Sequence, residues 1–408
     1  MKKPELLAPA GNLDILKIAF LYGADAVYCG TPDFAMRARV GFDLESLKEG
    51  IEYAHSIGKR VYVTLNAFPH SDEIAPLIKH IPNIIALNPD ALIIADPGIV
   101  SYVHKKYPKI PIHLSTQANT TNYLSATFWK DQGVERIVLA RELNLSDIKM
   151  IHTKSKVAIE CFIHGAMCMA YSGRCQISNY LTKRDPNKGK CVHACRFKYK
   201  MYGLEEEFRP GEIFPLYEDN EGTHLLNSKD LCMIEHLPEL IEAGVTSLKI
   251  EGRLKTEYYV ATTINAYRRA IDQLFENKSA YQKDRRKYKD EVKKASNREF
   301  TTGFYFDKPD KNTNNYKSSR ALSTWGYIGR VIGFNEEKKR LIFEAKNHLP
   351  VNSVLEILTP TEILKATAKS LYKNGEKVEV AHAGNIIEIP FRKKISIPVD
   401  SLVRIKLS

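Results

Sequence analysis

Eight short apolar runs recur through the first 276 residues, and amphipathic stretches separate most of them. The runs end in Gly, Asn, Asp or Pro, or in charged residues, and their continuous apolarity is typical of parallel strands covered on both faces. Eight such strands alternating with helices over about 250 residues predict an α/β fold, a (β/α)8 TIM-like barrel. The runs are PELLAPAG, DAVYCG, RVYVTLNAF, DALIIADPG, IPIHLSTQAN, RIVLAREL, VAIECFIHG and SLKIEGR.

The intervening stretches have helix boundaries and helical periodicity. Asp43 is an N-cap residue and Gly58 a C-cap residue for the stretch between them. An open doubly wound sheet is the competing architecture, but no GxGxxG follows the first run, which weakens its dinucleotide-binding version. One later stretch carries an apolar stripe at helical spacing, formed by Val260, Ile264, Tyr267, Ile271 and Leu274.

The alternation breaks at residues 165–222, after the seventh run, and four cysteines lie in this insertion. Barrel enzymes build their sites from loops at the carboxyl ends of the strands, so the insertion is expected at the barrel mouth. The spacing permits a 4Fe–4S cluster, a zinc ion or no metal; zinc ribbons use tighter C-x2-C pairs, which favours the cluster. The predicted ligands are Cys168, Cys175, Cys191 and Cys195.

Three other cysteines, Cys29, Cys161 and Cys232, lie in apolar runs or at a helix start and are predicted to be core residues. Seven cysteines in a long chain argue against a disulfide framework and for a reduced, cytoplasmic location. No run of 18 apolar residues occurs and no apolar segment follows the basic N-terminus, so neither membrane spanning nor secretion is expected.

The formal charge of +12 is unevenly distributed along the chain. Residues 1–276, the predicted barrel, sum to zero, whereas residues 277–320 carry 13 Lys and Arg against 6 Asp and Glu. Residues 321–408 carry 14 against 9, and their short runs split by Gly, Asn and Pro predict a small all-β barrel. Such asymmetry indicates an anionic partner, nucleic acid first; a solvated lysine-rich surface is the alternative.

Within residues 277–320, a basic linker or helix is predicted, and two tyrosines lie among its cations. Tyr281 and Tyr288 could stack on RNA bases while the charges hold the backbone. The alternative is a solvated helix with incidental tyrosines. The cations are Lys283, Arg285, Arg286, Lys287 and Lys289.

Polar residues that end the apolar runs are expected at the barrel mouth, where they would contact substrate. The alternative for each is a helix cap or a salt bridge that supports a loop. An arginine there suits a carboxylate through bidentate pairing, as would a pair of arginines after the second run. The substrate-binding candidates are Arg37, Arg39, Asn66, Gln117, Glu142, Lys249 and Arg253, and the catalytic candidates are Glu160, His164 and Glu251.

The stretch ECFIHGAMCMAYSGRCQIS resembles the signature of the collagenase-like peptidases, a family of peptidases of unknown mechanism. The pattern is Glu-x-Phe-x-x-Gly, a small residue, an aliphatic residue and Cys, followed by Gly-x-Cys-x-aliphatic-Ser, and this chain fills it without a gap. ELLAPAGN, GADAVYCG, RIVLARELNL, LLNSKDLC and SLKIEGRLK match as well, so the resemblance covers essentially the whole chain.

The resemblance implies either peptide hydrolysis or oxygen-independent hydroxylation, because the family has members described in both ways. Its hydroxylating branches act on tRNA wobble uridine, with prephenate as a required metabolite, on ribosomal RNA, or on quinone precursors. In them, cysteines matching the four clustered here hold a 4Fe–4S cluster. Chain length and the single C-terminal domain are closest to the tRNA branch, which forms 5-hydroxyuridine.

Peptidase machinery is sparse in the sequence. There is no HExxH and no GxSxG, and a cysteine nucleophile would need a histidine close in space. His164 and His193 lie near the cysteines in sequence, so a Cys–His pair stays open at this point. Cysteines that bind a metal are poor nucleophiles, which favours the hydroxylase and makes tRNA the expected partner; the sequence leaves protein partners undetermined.

Overall fold

The computed structural model describes most of the chain in two parts, an α/β barrel and a C-terminal antiparallel sheet. No helix among the described residues is long and apolar enough to cross a membrane. The described residues are 2–32, 34–35, 41–168, 170–196, 218–219, 222–223, 228–296, 298–306, 324–391 and 397–407.

Eight parallel strands close the predicted barrel. Neighbours from β1 to β7 pair in sequence order, and β11 pairs in parallel with both β7 and β1. The (β/α)8 prediction is therefore confirmed. The strands up to the end of this part are β1 (Glu5–Pro9), β2 (Ala26–Gly30), β3 (Arg60–Leu65), β4 (Ala91–Ile94), β5 (Ile112–Leu114), β6 (Arg136–Val138), β7 (Ala158–Ala166), β8 (Glu218–Asp219), β9 (Gly222–Thr223), β10 (Asp230–Cys232), β11 (Ser247–Ile250) and β12 (Phe300–Thr301).

Helices cover the outside of the barrel. The Asp43 side chain caps α2 by accepting from the backbone N–H of Ser46, as expected, and the stripe predicted on α9 is buried along its length. The helices are α1 (Leu13–Leu21), α2 (Leu44–Ser56), α3 (Ser71–Ile85), α4 (Pro97–Lys106), α5 (Tyr123–Asp131), α6 (Leu145–Ser155), α7 (Ile177–Thr182), α8 (Leu237–Glu242), α9 (Glu257–Glu276) and α10 (Lys278–Lys293).

Strand β7 continues past the barrel and carries the chain into the cysteine insertion. Its last residues pair antiparallel with β10, with Asp230 opposite Ala166. Its pairing with β11 is irregular: Phe162 lies opposite Lys249 but His164 opposite Ile250, so Ile163 is an extra residue on β7. Such a bulge turns the residues that follow it to the other face of the sheet.

The C-terminal part is an eight-stranded antiparallel sheet in the order β17-β16-β22-β13-β14-β21-β18-β19, with β15 and β20 as a separate pair. The all-β prediction is confirmed, and these strands enclose a core of their own. The strands are β13 (Trp325–Asn335), β14 (Arg340–Ala345), β15 (Leu349–Pro350), β16 (Val354–Leu358), β17 (Ile363–Thr367), β18 (Leu371–Lys373), β19 (Glu376–Val378), β20 (Val380–Ala381), β21 (Ile386–Pro390) and β22 (Leu402–Lys406).

The sheet packs on the barrel through buried polar contacts. The Tyr22 hydroxyl donates to the carbonyl of Leu358 at 2.7 Å and accepts from the N–H of Leu402 at 3.1 Å. Arg404, fully buried on β22, forms an ion pair at 2.5 Å with Glu291 of α10. A buried pair left without one partner is costly, so these contacts fix the sheet against the barrel.

The tyrosines of α10 both contact neighbouring elements, and the burial of Tyr281 corrects the stacking role predicted for it. Tyr281 is fully buried, and its hydroxyl donates to the carbonyl of Ile234 at 2.8 Å. The hydroxyl of Tyr288, half-buried, donates to Gln273 of α9 at 3.0 Å. The buried ring of Tyr281 is therefore closed to an RNA base, and Tyr288 is tied to α9 through its hydroxyl. The sequence could not show this because the contacts come from α9 and the segment after β10.

Candidate functional site at the barrel mouth

A cavity of about 130 Å³ lies at the carboxyl ends of the barrel strands, beneath the cysteine insertion. Residues at the strand ends and residues of the insertion both line it. The insertion therefore lies at the barrel mouth, as predicted. The four clustered cysteines all contribute to the lining. Other lining residues used below are Tyr28, Thr64, Asn66, Gln117, Arg141, Phe162, Tyr171, His193, Lys249, Glu251 and Arg253.

The four cysteines differ in exposure but face the same space. Cys168 is exposed, whereas Cys175, Cys191 and Cys195 are partly buried, and none of them forms a disulfide. Among the described residues, no three Cys, His, Asp or Glu side chains converge where they could hold one metal ion. The backbone N–H of His193 donates to the Cys191 sulfur at 3.4 Å. The sulfurs are therefore distributed around the cavity rather than gathered at one point.

Contacts to the loops after β5 and β6 hold the first half of the insertion over the cavity. Glu142, after β6, accepts from the backbone N–H of Ser172 at 2.8 Å and from its hydroxyl. Gly173, with φ of +73°, lies so close to the loop after β5 that an added Cβ would be 2.0 Å from the Gln117 carbonyl oxygen. Only glycine tolerates both the conformation and that approach.

Further contacts anchor the second half of the insertion. The carbonyl of Asn187 accepts from the N–H of Phe68, after β3, and its side chain donates to the carbonyl of Cys175 at 2.9 Å. Lys188 forms an ion pair with Glu73 of α3 at 2.9 Å. The cysteine loop is thus part of the barrel mouth.

Arg141 connects the barrel to the cysteines and was not identified from the sequence. Its guanidinium lies 4.0 Å from the centre of the Phe162 ring and donates to the carbonyl of Ala166 at 2.7 Å. The same nitrogen is 4.0 Å from the Cys168 sulfur. Its Nε is buried with no hydrogen-bond partner among the described residues. An arginine at the end of the sixth run was the available signal, since the adjacent Glu142 was selected on that basis.

Glu160 lies inside the barrel below the cavity and does not line it. It is fully buried and forms ion pairs with Lys249 at 2.7 Å and with Arg136 at 3.2 Å. Arg136 also pairs with Glu5 at 2.5 Å, and the Ser247 hydroxyl donates to both carboxylates. These five residues form the floor network. It fixes Lys249 from below, so the structure gives Glu160 a positioning contact.

Lys249 and Arg253 border one side of the cavity around Tyr28. The Lys249 ammonium is 4.3 Å from the centre of the Tyr28 ring, and the Arg253 guanidinium is 5.9 Å from it. Arg253 donates to the Thr64 hydroxyl at 2.9 Å. Burial lowers the pKa of Lys249, although Glu160 opposes this effect. Two buried cations on one side of the cavity favour an anionic ligand.

His164 lies outside the cavity, on the opposite face of β7 from Glu160. Its ring packs against Tyr259, Tyr267 and Phe300, and burial lowers its pKa to about 3. The bulge at Ile163 explains the difference, because strict alternation would have placed residues 160 and 164 on the same face. The structure does not bring His164 to the cavity.

Of the remaining residues selected from the sequence, three line the cavity and two lie outside the described residues. Asn66, Gln117 and Glu251 line the cavity, and Asn66 donates to the Ser115 hydroxyl at 3.0 Å. Arg37 and Arg39 lie outside the described residues. Tyr28 and Thr64 were missed because they lie inside apolar runs that gave no polar strand-end signal. The core cysteines Cys29, Cys161 and Cys232 are buried as predicted.

Relatives with curated names match this protein over nearly its whole length. tRNA hydroxylation protein P of Escherichia coli (strain K12) is 36% identical, with 99% of this chain and 97% of that protein covered. The protein of the same name from Helicobacter pylori (strain ATCC 700392 / 26695) is 40% identical over 95% of both. The 23S rRNA 5-hydroxycytidine C2501 synthase of Escherichia coli (strain K12) is 35% identical over 91% of this chain and 55% of that protein.

Two family models match adjoining parts of the chain. The model for peptidase family U32 covers residues 11–315, which contain most of the barrel and the cysteine insertion. The model for the C-terminal domain of the same family covers residues 323–404, the antiparallel sheet. The chain therefore belongs to peptidase family U32.

Proposed function

We propose that this protein is a tRNA hydroxylase that converts wobble uridine to 5-hydroxyuridine without molecular oxygen, using a 4Fe–4S cluster and prephenate. The names of its relatives support an RNA substrate. The observation that carries the proposal is the shared lining of one cavity by four cysteines and three cations, Arg141, Lys249 and Arg253. Cysteines that form no disulfide and a tRNA substrate suit a cytoplasmic setting.

The donor set fits an iron–sulfur cluster better than a zinc ion. A zinc ion needs four ligands within about 2.3 Å of one point. In a 4Fe–4S cluster each thiolate binds a different iron, so distributed sulfurs suit it. A cluster with four thiolates is anionic, and a terminal guanidinium nitrogen of Arg141 lies 4.0 Å from the Cys168 sulfur, so this arginine would place a positive charge beside the cluster. When bound, the cluster would supply one-electron transfer at the cavity.

Lys249 and Arg253 are the residues that we assign to prephenate. Prephenate carries two carboxylates, and buried cations held by Glu160 and Thr64 are already oriented to bind one of them. In the floor network Glu5 and Glu160 balance Arg136 and Lys249, so the network itself is neutral. Arg253, which lines the cavity with Lys249, is the further cation that a bound carboxylate would meet there.

Glu251 is the only carboxylate among the described residues that line the cavity. Hydroxylation replaces the hydrogen on C5 of uracil, so a base must accept that proton. A carboxylate within reach of the base can act in this way. We assign this role to Glu251, with Asn66 and Gln117 as hydrogen-bonding partners for the edge of the base.

The charge distribution supports an RNA partner. Residues 277–408 carry the whole excess of +12. On α10, Lys287 is neutralised by Asp284 and Lys289 by Glu235, whereas Lys283, Arg285 and Arg286 have no ion pair among those described. These three residues are the α10 cations proposed to contact phosphates, which would make binding salt-dependent.

Peptide hydrolysis is supported by names alone, that of the family and that of one relative, an uncharacterized protease of Methanocaldococcus jannaschii. Of the two histidines near the cysteines in sequence, His164 is buried outside the cavity, and His193 lies among the proposed cluster ligands. Hydroxylation of ribosomal RNA or of a quinone precursor uses the same cavity chemistry, and the experiment below separates these substrates.

The decisive experiment combines gene deletion with cysteine replacement. Deletion should remove 5-hydroxyuridine and its derivatives from tRNA digests analysed by mass spectrometry. Wild-type protein should restore them, and Cys191→Ser should not. Anaerobically purified wild type should contain about four iron and four sulfide per chain, and Cys191→Ser should lose most of both.

The matched control is Cys232→Ala, which alters a buried cysteine outside the cavity. It should keep its iron and restore the modified nucleoside. Stoichiometric zinc without iron in anaerobic wild type would disprove the cluster. Unaltered tRNA digests after deletion, with a change in ribosomal RNA or in quinones, would transfer the activity to that substrate.

A further inference from the structure

The rim turn, residues 171–174, lies at the mouth of the cavity between the first two clustered cysteines. The N–H of Arg174 donates to the carbonyl of Tyr171 at 3.0 Å, which closes the turn. Ser172 is held by Glu142, and Gly173 lies against the Gln117 carbonyl. Both central residues are thus fixed on barrel loops, and the two end residues project from an ordered backbone.

The side chains at the two ends of the rim turn are exposed. Tyr171 lines the cavity and is 60% exposed, in contrast to the buried Tyr28 below it. Arg174 is exposed, and its guanidinium donates to the carbonyl of Gly173 at 3.1 Å. Single exposed aromatics are common on protein surfaces. Here, however, the ring borders a cavity, a cation lies three residues away, and the backbone between them is already immobilised.

An aromatic ring beside a cation is the arrangement with which proteins bind unpaired nucleotides. The ring stacks on the base whatever its identity, and the cation holds the phosphate. An enzyme that modifies a base must take it out of its stack, and the loss of stacking has to be compensated. A ring at the entrance of the cavity would provide this compensation.

We propose that the rim turn receives the target nucleotide: Tyr171 stacks on the unpaired pyrimidine as it enters the cavity, and Arg174 binds its phosphate. This inference rests on the proposed function, because it requires an RNA substrate. It assigns base recognition to the segment between the cluster ligands and leaves the α10 cations to hold the more distant backbone.

The test is binding of a labelled anticodon stem-loop RNA, either intact or abasic at the wobble position, followed by anisotropy. Base–aromatic stacking contributes about 1–3 kcal/mol, so Tyr171→Ala should weaken binding of the intact RNA about 5- to 150-fold. Tyr171→Phe should bind like wild type. With abasic RNA, Tyr171→Ala should have no further effect, because the stacking partner is missing.

Arg174→Ala should weaken both RNAs and lower the slope of log Kd against log salt by about 0.7, and Arg174→Lys should restore most of that slope. Tyr180→Ala is the control: its ring is 87% exposed but does not line the cavity, so binding should not change. All variants should keep wild-type iron content.

The results separate this inference from the proposed function. Equal loss with intact and abasic RNA, or wild-type binding by Tyr171→Ala, overturns stacking by Tyr171 while wild-type tRNA hydroxylation stands. Absence of tRNA modification by wild type would instead overturn the proposed function and this inference with it.

Discussion

The two faces of β7 bury titratable side chains in opposite ways. On the inner face, Glu160 is enclosed by charges, with Lys249 and Arg136 as ion-pair partners. On the outer face, His164 is enclosed by aromatic rings, and burial lowers its pKa to about 3. Burial alone therefore does not decide whether a group carries charge; the available partners do. The inner face lies below the proposed ligand site, and the outer face packs against aromatic rings of the fold.

The largest effect is expected from breaking the inner face. Glu160→Ala removes the buried ion-pair partner of Lys249 and one of the two partners of Arg136, which keeps Glu5, and should lower the free energy of unfolding by about 3–5 kcal/mol. Urea unfolding at pH 7 measures this. Glu49→Ala removes an exposed partner of Lys17 and should cost less than about 1 kcal/mol. Equal losses in the two variants would contradict the distinction between the inner face and the surface.

The outer face should make the protein sensitive to acid. Because the pKa of His164 is lowered from 6.5 to about 3, the unfolded chain binds a proton there at a higher pH than the folded one. Stability is lost as pH falls through that interval, by about 2 kcal/mol between pH 7 and pH 5. His164→Phe keeps an aromatic ring and should remove this part of the pH dependence. An unchanged dependence would mean that His164 is protonated in the fold.

The smallest effect concerns ligand binding on the inner face. Lys249→Met removes one of two cations assigned to a carboxylate and should weaken prephenate binding about tenfold, or 1.4 kcal/mol, in calorimetry. Arg253 would still bind the carboxylate, so binding should be weakened rather than lost. Lys287→Met on α10 is the control, since Lys287 is 77% exposed and does not line the cavity. Prephenate binding that is equal in both variants would remove Lys249 from the ligand site.

The sequence predicted the barrel because eight apolar runs carry the strand signal independently of one another, and their pairings are as expected. It also predicted the cysteines at the mouth, since strand order determines which loops share that end. It could not predict the orientation of His164, because one extra residue on β7 reverses the alternation. Tyr281 was misassigned for a related reason: the groups that bury it are distant in sequence.

Gly173 limits how this part of the chain can evolve. Any side chain there would collide with the Gln117 carbonyl, since even a Cβ would be 2.0 Å from its oxygen. Substitutions at this position would be eliminated whatever their chemistry, whereas Tyr171 and Arg174, whose side chains are exposed, can change without moving the backbone. The glycine of the family signature thus has a physical reason. Side chains on the rim can thus be exchanged on a backbone that keeps its place.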